Sequence, residues 1–505
     1  MLEVKPFKVH PRVADAYIMH DQRDGGIWIA ERLKDVFLYD RVGETDRRFF
    51  KRGHVWIHDT KTMERELLNL IQTLDVLLFI GDDLVTQTGN MRPAEDLRKF
   101  VFNHPAHSPG FLERLWQSNI GKLCFSNGWF DFHEQEFHTW DSPGAPDTTM
   151  LIERPFPVLK FRAMKALAPS EAVDHEMAEL HRCITNPIFN VGKQRPDAGD
   201  ELATTFYRFL SRGLAGMVHD KHWGVGMGPR NCGKGVVMEL CKAAFGPYCR
   251  TTNAENFILQ TRATSSDAAA GNRWLMDFEF ARLMYCNEIK VAPGATVTID
   301  GNKIKLAASG GDELEGRRHC HNETTFKIQA RLLLLNNDLP DITASNAKEE
   351  VVFFDFPSKF VEEAEVKQRN AKRRRTDMNT GVEDTVYRAS DPHIKERCRS
   401  ELVDAWTLCI MCQHWTPTKV TIPATMAPAV DDFKDADDDR ERFEALFTFT
   451  RDRAITVSVA GVKSHKTSAG ISAGVTVYSK WLKLAGCRKA RGPTGAWAWE
   501  GLAKI

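Results

Sequence analysis

A lysine behind a glycine-rich turn, an acid ending one apolar run and an amide ending another are the residues here that are spaced to do chemistry. The turn reads Gly228-Pro229-Arg230-Asn231-Cys232-Gly233-Lys234-Gly235, a G-x-x-x-x-G-K pattern. Its glycines let successive backbone N–H groups converge on one point, and a following helix adds the partial positive charge of its N-terminus. Lys234 would then reach the β- and γ-phosphates of a nucleotide. The usual pattern closes on Ser or Thr, whose hydroxyl ligates Mg²⁺, but Gly235 holds that place here. Arg282-Leu283-Met284-Tyr285-Cys286-Asn287-Glu288 delivers an acid from a short apolar run, which suits a carboxylate beside Mg²⁺ that positions water. Ala330-Arg331-Leu332-Leu333-Leu334-Leu335 ends in Asn336-Asn337-Asp338-Leu339-Pro340, an amide able to hydrogen-bond a γ-phosphate or the attacking water.

These groups need elements to hold them. Trp223–Met227 reads as a strand entering the turn and Val236 to Phe245 as the helix leaving it. Residues 200–218 read as a helix packed ahead of that strand, and Arg250 to Phe280 as a strand followed by helices. The continuous apolar run before Asn336 is a buried strand of parallel type, and Val351–Phe354 closes the unit. Between acid and amide, Thr296–Ile299 and Lys303–Leu306 flank Asp300-Gly301-Asn302, a spacing that predicts a hairpin. Ser309-Gly310-Gly311-Asp312 and Arg317-Arg318-His319-Cys320-His321 follow. Alternation in a strand sends His319 and His321 to one face and Cys320 to the other, so a cationic surface loop is favoured over a metal site.

Composition bounds the partners. Lys+Arg and Asp+Glu are equal at 68 each, so any attraction to nucleic acid must come from local patches. Residues 1–5 show no apolar secretory core, and the best apolar window, Leu67 to Ile80, is too short for a membrane span and contains Gln72 and Asp75. The 11 cysteines lack framework spacing, which points to a reducing intracellular compartment, nucleus or cytoplasm. Cys409-Ile410-Met411-Cys412 lies in an amphipathic run without a second pair, so core packing is expected rather than zinc. In the N-terminal part, helices are expected over Met63 to Leu78 and Ala94 to Phe102, and a hairpin at Ser126-Asn127-Gly128.

The order of turn, strand-acid, Ser-Gly-Gly-Asp with arginines and apolar strand ending in Asn-Asp-Leu-Pro resembles a superfamily 3 helicase, within it the poxvirus-type primase-helicases of large DNA viruses, phages and plasmids. The resemblance is strongest over 223–360 and implies an α/β, P-loop AAA+-like ATPase core that binds ATP and Mg²⁺. It makes Lys234 the phosphate lysine, Glu288 the catalytic and metal-holding acid and Asn337 the sensor amide, with Gly228 to Gly235 around the nucleotide. Lys305 and the stretch Gly310 to Arg318 fall where such proteins support the DNA-contacting hairpin of a hexameric ring, and the donor cluster Arg317, Arg318, His319 and His321 beside the Gly-Gly turn is expected to touch the DNA backbone. The family also usually carries an arginine before the last core strand; this chain has Ala347-Lys348-Glu349-Glu350, where Lys348 could substitute only as a point charge.

The remaining expectations concern organisation. We divide the chain into an α-rich mixed N-terminal helicase-associated region (1–190), the ATPase core (191–362), a basic exposed insertion (363–392), a helical segment with an acidic linker (393–440) and a small winged-helix-like domain (441–505). The function expected is an ATP-dependent DNA helicase or translocase of a viral or virus-like replication module, alongside a separate primase or polymerase. Two alternatives are a ring that binds nucleotide and DNA with impaired hydrolysis, and an AAA+-like NTPase acting on protein.

Overall fold

Five parallel strands carry the glycine-rich turn at their carboxyl edge. They are β1 (Trp223–Met227), β2 (Cys249–Thr252), β3 (Leu283–Cys286), β4 (Arg331–Asn336) and β5 (Val351–Asp355), in the order β2-β3-β4-β1-β5. Every neighbouring pair is parallel, with Gly224 opposite Leu333 and Cys286 opposite Leu334. Both faces of this sheet are covered: Leu333 and Leu335 join one buried cluster, Leu332 and Leu334 the other. A strand buried on both sides must be apolar throughout, which is why the run before Asn336 shows no alternation. The computed structural model describes residues 17–42, 45–80, 83–166, 171–189, 196–259, 268–286, 298–318, 322–337, 341–343, 347, 350–380, 386–412, 443–450, 452, 454–468, 475–491 and 497–504.

Helix α1 (Pro196–Leu214) packs across the sheet, and α2 (Lys234–Phe245) follows the turn directly. Between β3 and β4 the expected hairpin does not form. Asp300 caps a helix instead, α3 (Gly301–Ala307), its carboxylate accepting from the Asn302 N–H. Ile304 and Ala307 then fall at helical spacing on a buried face. A true hairpin follows, Glu313–Gly316 against Thr324–Lys327.

The N-terminal part is richer in strands than expected. It holds a four-stranded sheet (Phe37–Val42, Thr45–Arg52, Val55–Ile57, Ala106–His107), a three-stranded one (Tyr17–Met19, Val76–Ile80, Asp83–Thr86) and the three-stranded sheet containing the Ser126-Asn127 hairpin. The helix expected to run to Leu78 spans Thr60–Gln72. The apolar residues beyond it form a strand parallel to Tyr17–Met19, a pairing that local periodicity cannot reveal. The other expected helix is Met91–Phe102. One buried cluster runs from Leu38 to Met411, so N-terminal region and parallel sheet share a core.

After the sheet, the basic stretch expected as an exposed insertion is helical from Glu363 to Thr380. Ile394–Arg399 and α4 (Val403–Met411) pack on α2, with Cys409 buried in the shared core as the packing reading requires. The acidic stretch 431–439 lies outside the described residues. The C-terminal unit has its own core around Phe443, Tyr478, Trp481 and Trp499, formed by helices Val459–Ser468 and Val475–Leu484 and short antiparallel strands. No helix among the described residues is long and apolar enough to cross a membrane.

Candidate functional site

The turn between β1 and α2 is built by backbone conformations that few residues tolerate. Gly233 has φ 99°, and a Cβ there would lie 2.7 Å from Ile188. Asn231 sits at φ 65°, a conformation open to asparagine. The far side is pinned by Phe356 N–H donating to Met227 O at 2.7 Å and Phe360 N–H to Asn231 O at 2.8 Å. Cys232 is buried beneath the turn, and burial pushes its thiol up, so it packs rather than reacts.

Lys234 opens α2 and reaches back over the turn. Its Nζ donates to Gly228 O at 2.5 Å, Asn336 O at 2.9 Å and Asn337 Oδ1 at 3.0 Å. The lysine of the turn therefore meets the amide just past β4. Gly235, the next residue, is exposed, with nothing within 4 Å of where its Cβ would stand. β3 ends at Cys286, and Glu288 lies outside the described residues, as do Lys348 and Glu349.

Two features escaped the sequence reading. Asn336 is only 6% exposed, and its Nδ2 has no partner among the described residues. It was visible as the first of two amides ending the apolar run, but its pointing inward was not. The second is a cavity of about 410 Å³ beside the turn, lined by Ile188, Asn231, Gly233, Val236, Phe360 and Arg388 among others. Its residues come from distant segments, and no spacing signals it. On its rim Arg397 donates to Glu179 at 2.5 Å, and with Arg182 it holds that carboxyl well below the usual range.

The residues expected to touch DNA fall elsewhere. Lys305 is half-buried on α3. Arg317 and Arg318 are exposed just past the strand Glu313–Gly316, in the connection to Thr324–Lys327, and not on a helix. Arg318 meets Asp277 at 3.2 Å, whereas Asp312 and Glu313 pair with Lys221 and Lys327. His319 and His321 lie outside the described residues. Arg318 also lines a cleft of about 990 Å³ between the N-terminal sheets and the core, together with Arg47, Arg48, Lys61, Arg250 and Asn322.

With this geometry in place, a relative can be read against it. The chain is 25% identical over 349 residues to a Sputnik virophage protein described as "Putative helicase V13". The match covers 66% of this chain and 41% of that protein. The chain thus spans about two-fifths of its relative's length. Solved structures of the NrS-1 C-terminal region align with 94–95% of the chain at 9% identity and TM-scores of 0.41 and 0.42. No family model matches.

Proposed function

We propose that the chain is an ATP-dependent DNA helicase or translocase whose P-loop is the turn Gly228 to Gly235. The observation that carries this reading is the meeting of Lys234 with the strand-tip residues Asn336 and Asn337 at the carboxyl edge of a parallel sheet. Ligands of open α/β sheets bind at that edge, and the first turn of α2 directs its N–H groups there. The 410 Å³ cavity has room for a nucleoside, with Ile188, Val236 and Phe360 as its apolar walls. The helicase name of the virophage relative supports the choice among P-loop functions.

In this reading a phosphate replaces the acceptors that Lys234 now satisfies. Asn337, freed of the lysine, and the buried Nδ2 of Asn336 are donors for a γ-phosphate oxygen or the attacking water. Glu288 activates that water. Mg²⁺ would neutralise charge on the phosphates, with Glu288 as its protein ligand. Position 235 offers the ion no hydroxyl, although the open space at Gly235 admits water in its place. Arg317, Arg318, His319 and His321 at the hairpin, with Lys305, contact the DNA backbone, and the active form is a homohexameric ring working beside a separate primase or polymerase. The C-terminal helices and strands fit a winged-helix domain.

A second reading is favoured by one observation, the glycine at 235: a ring that binds nucleotide and DNA with impaired hydrolysis. ATP turnover measured with and without single-stranded DNA separates these. Turnover stimulated by DNA supports the helicase. ATP binding without turnover selects the impaired ring, and turnover indifferent to DNA points to an NTPase acting on protein. Absence of ATP binding refutes the proposal.

A further inference from the structure

The C-terminal unit leaves one tryptophan out of its core. Trp499 is buried, and Trp481 and Tyr478 are nearly so, but Trp497 is 51% exposed. It lies on Trp497–Glu500, the central strand of a three-stranded antiparallel sheet, with the edge strand Arg488–Arg491 on one side. Arg491 is directly opposite Trp497, and Lys489 opposite Trp499. The register therefore places both cations on the face that carries the exposed indole. Arg491 Cζ is 5.7 Å and Lys489 Nζ 5.4 Å from the ring centroid. Arg488, Lys489 and Arg491 are all exposed, and none makes an ion pair among the described residues.

Lysine on an edge strand can serve merely to discourage pairing with another sheet. That purpose leaves unexplained why a tryptophan stands exposed on the neighbouring strand. An exposed indole with two long cationic side chains over its ring suits an unpaired nucleotide: the base stacks on the ring as the exposed cations swing to the flanking phosphates. A duplex offers no free base face, and an acidic peptide gains nothing from the indole. We propose that Trp497, Lys489 and Arg491 form a binding site for single-stranded nucleic acid, separate from the ATPase core. Nothing in it depends on nucleotide chemistry, so it stands or falls independently of the proposed core activity.

The test uses the full chain without nucleotide, titrated by fluorescence anisotropy against a single-stranded oligodeoxynucleotide, the matching oligoribonucleotide and the duplex. Trp497→Ala should weaken single-strand binding by about five- to a hundredfold, the scale of one lost base stack. DNA and RNA should lose alike, duplex binding should hold, and the salt slope should stay unchanged because no charge is removed. Trp497→Phe should keep most of the affinity. The Lys489→Ala/Arg491→Ala double variant should lower the salt slope by about 1.4, and it reports on the site even if Trp497→Ala fails to fold. Unchanged single-strand affinity in folded Trp497→Ala overturns the proposal, as does an equal loss on duplex. With unfolded Trp497→Ala, an unchanged slope in the double variant overturns it.

Discussion

Replacing Lys234 by alanine tests the proposed nucleotide site most directly, because the lysine's partners without ligand are known. Nζ makes three hydrogen bonds, to Gly228 O, Asn336 O and Asn337 Oδ1. Hydrogen bonds from a charged donor contribute about 1.5–3 kcal/mol each, but these share one ammonium in a half-buried setting and do not add. Lys234→Ala should therefore cost the ligand-free protein about 1.5–3 kcal/mol in total. ATP binding should weaken by at least about 1 kcal/mol, since the variant leaves the β- and γ-phosphates without their side-chain cation. The two effects separate by calorimetric titration and thermal melting. At an ATP concentration of about 100 Kd the parent gains about 2.7 kcal/mol from binding, and a tenfold weaker variant only about half that. Lys234→Arg keeps the charge but exchanges a compact ammonium for a planar fork, and should not restore affinity. A variant that loses stability yet binds ATP as the parent does would show that Lys234 merely clamps the turn to β4, and the P-loop reading would fail.

The other predictions address turnover, metal and DNA. Glu288→Gln should bind ATP yet lose turnover by about a hundredfold or more, the scale of a removed catalytic base; an undiminished rate would move the acid elsewhere, but not to Asp312, which pairs with Lys221 ahead of β1 at the opposite edge of the sheet. Gly235→Ser places a hydroxyl in open space, so it should stabilise α2 by about 0.5 kcal/mol and lower the Mg²⁺ concentration needed for half-maximal turnover. A magnesium titration that does not shift argues against a metal at that position. Arg317→Ala and Arg318→Ala should each lower the salt slope of single-stranded DNA binding by about one without altering sequence preference. Folded variants with the parent's affinity and slope would remove the hairpin from the DNA path.

What the sequence disclosed was whatever is encoded within a few residues. The strand, turn and helix around Lys234 are contiguous, and the buried strand before Asn336 announces itself by six unbroken apolar or aliphatic-stemmed positions from Ala330 to Leu335. Where one signal has two meanings, the local reading went astray. Asp-Gly serves a hairpin turn or a helix start, and at Asp300 the buried spacing of Ile304 and Ala307 decided for the helix. The basic run after Glu363 is helical for a simple reason: Lys, Arg and Glu are good helix formers even where no apolar face is available. Neither the cavity beside Gly233 nor the inward turn of Asn336 could be read, because both arise from segments brought together only by the fold.

The two ends of the parallel sheet divide structure from chemistry. At the amino edge lie buried arginines that the surrounding chain must neutralise or satisfy. Arg282, just before β3, is 1% exposed and donates to Gln329 at 2.5 Å and to the Asn119 carbonyl at 2.8 Å. Arg331, which begins β4, is equally buried and donates to Asp220 at 2.9 Å; burial pulls its guanidinium down to about 10, so it remains charged at neutral pH. The same edge receives Arg47, which grips Glu279 at 2.7 and 2.9 Å, while Trp116 donates to that carboxylate at 3.1 Å. Removing one partner of a buried charge pair costs about 3–5 kcal/mol. The N-terminal sheets are thus a wall of the core, locked where the strands begin. Among the described residues the carboxyl edge shows no comparable buried pair. It presents a lysine held by two main-chain carbonyls and one amide, all of which a phosphate can displace. On the proposed reading, a sheet closed by buried charge at one end and left with exchangeable partners at the other would bind and release an anionic ligand without loosening its core.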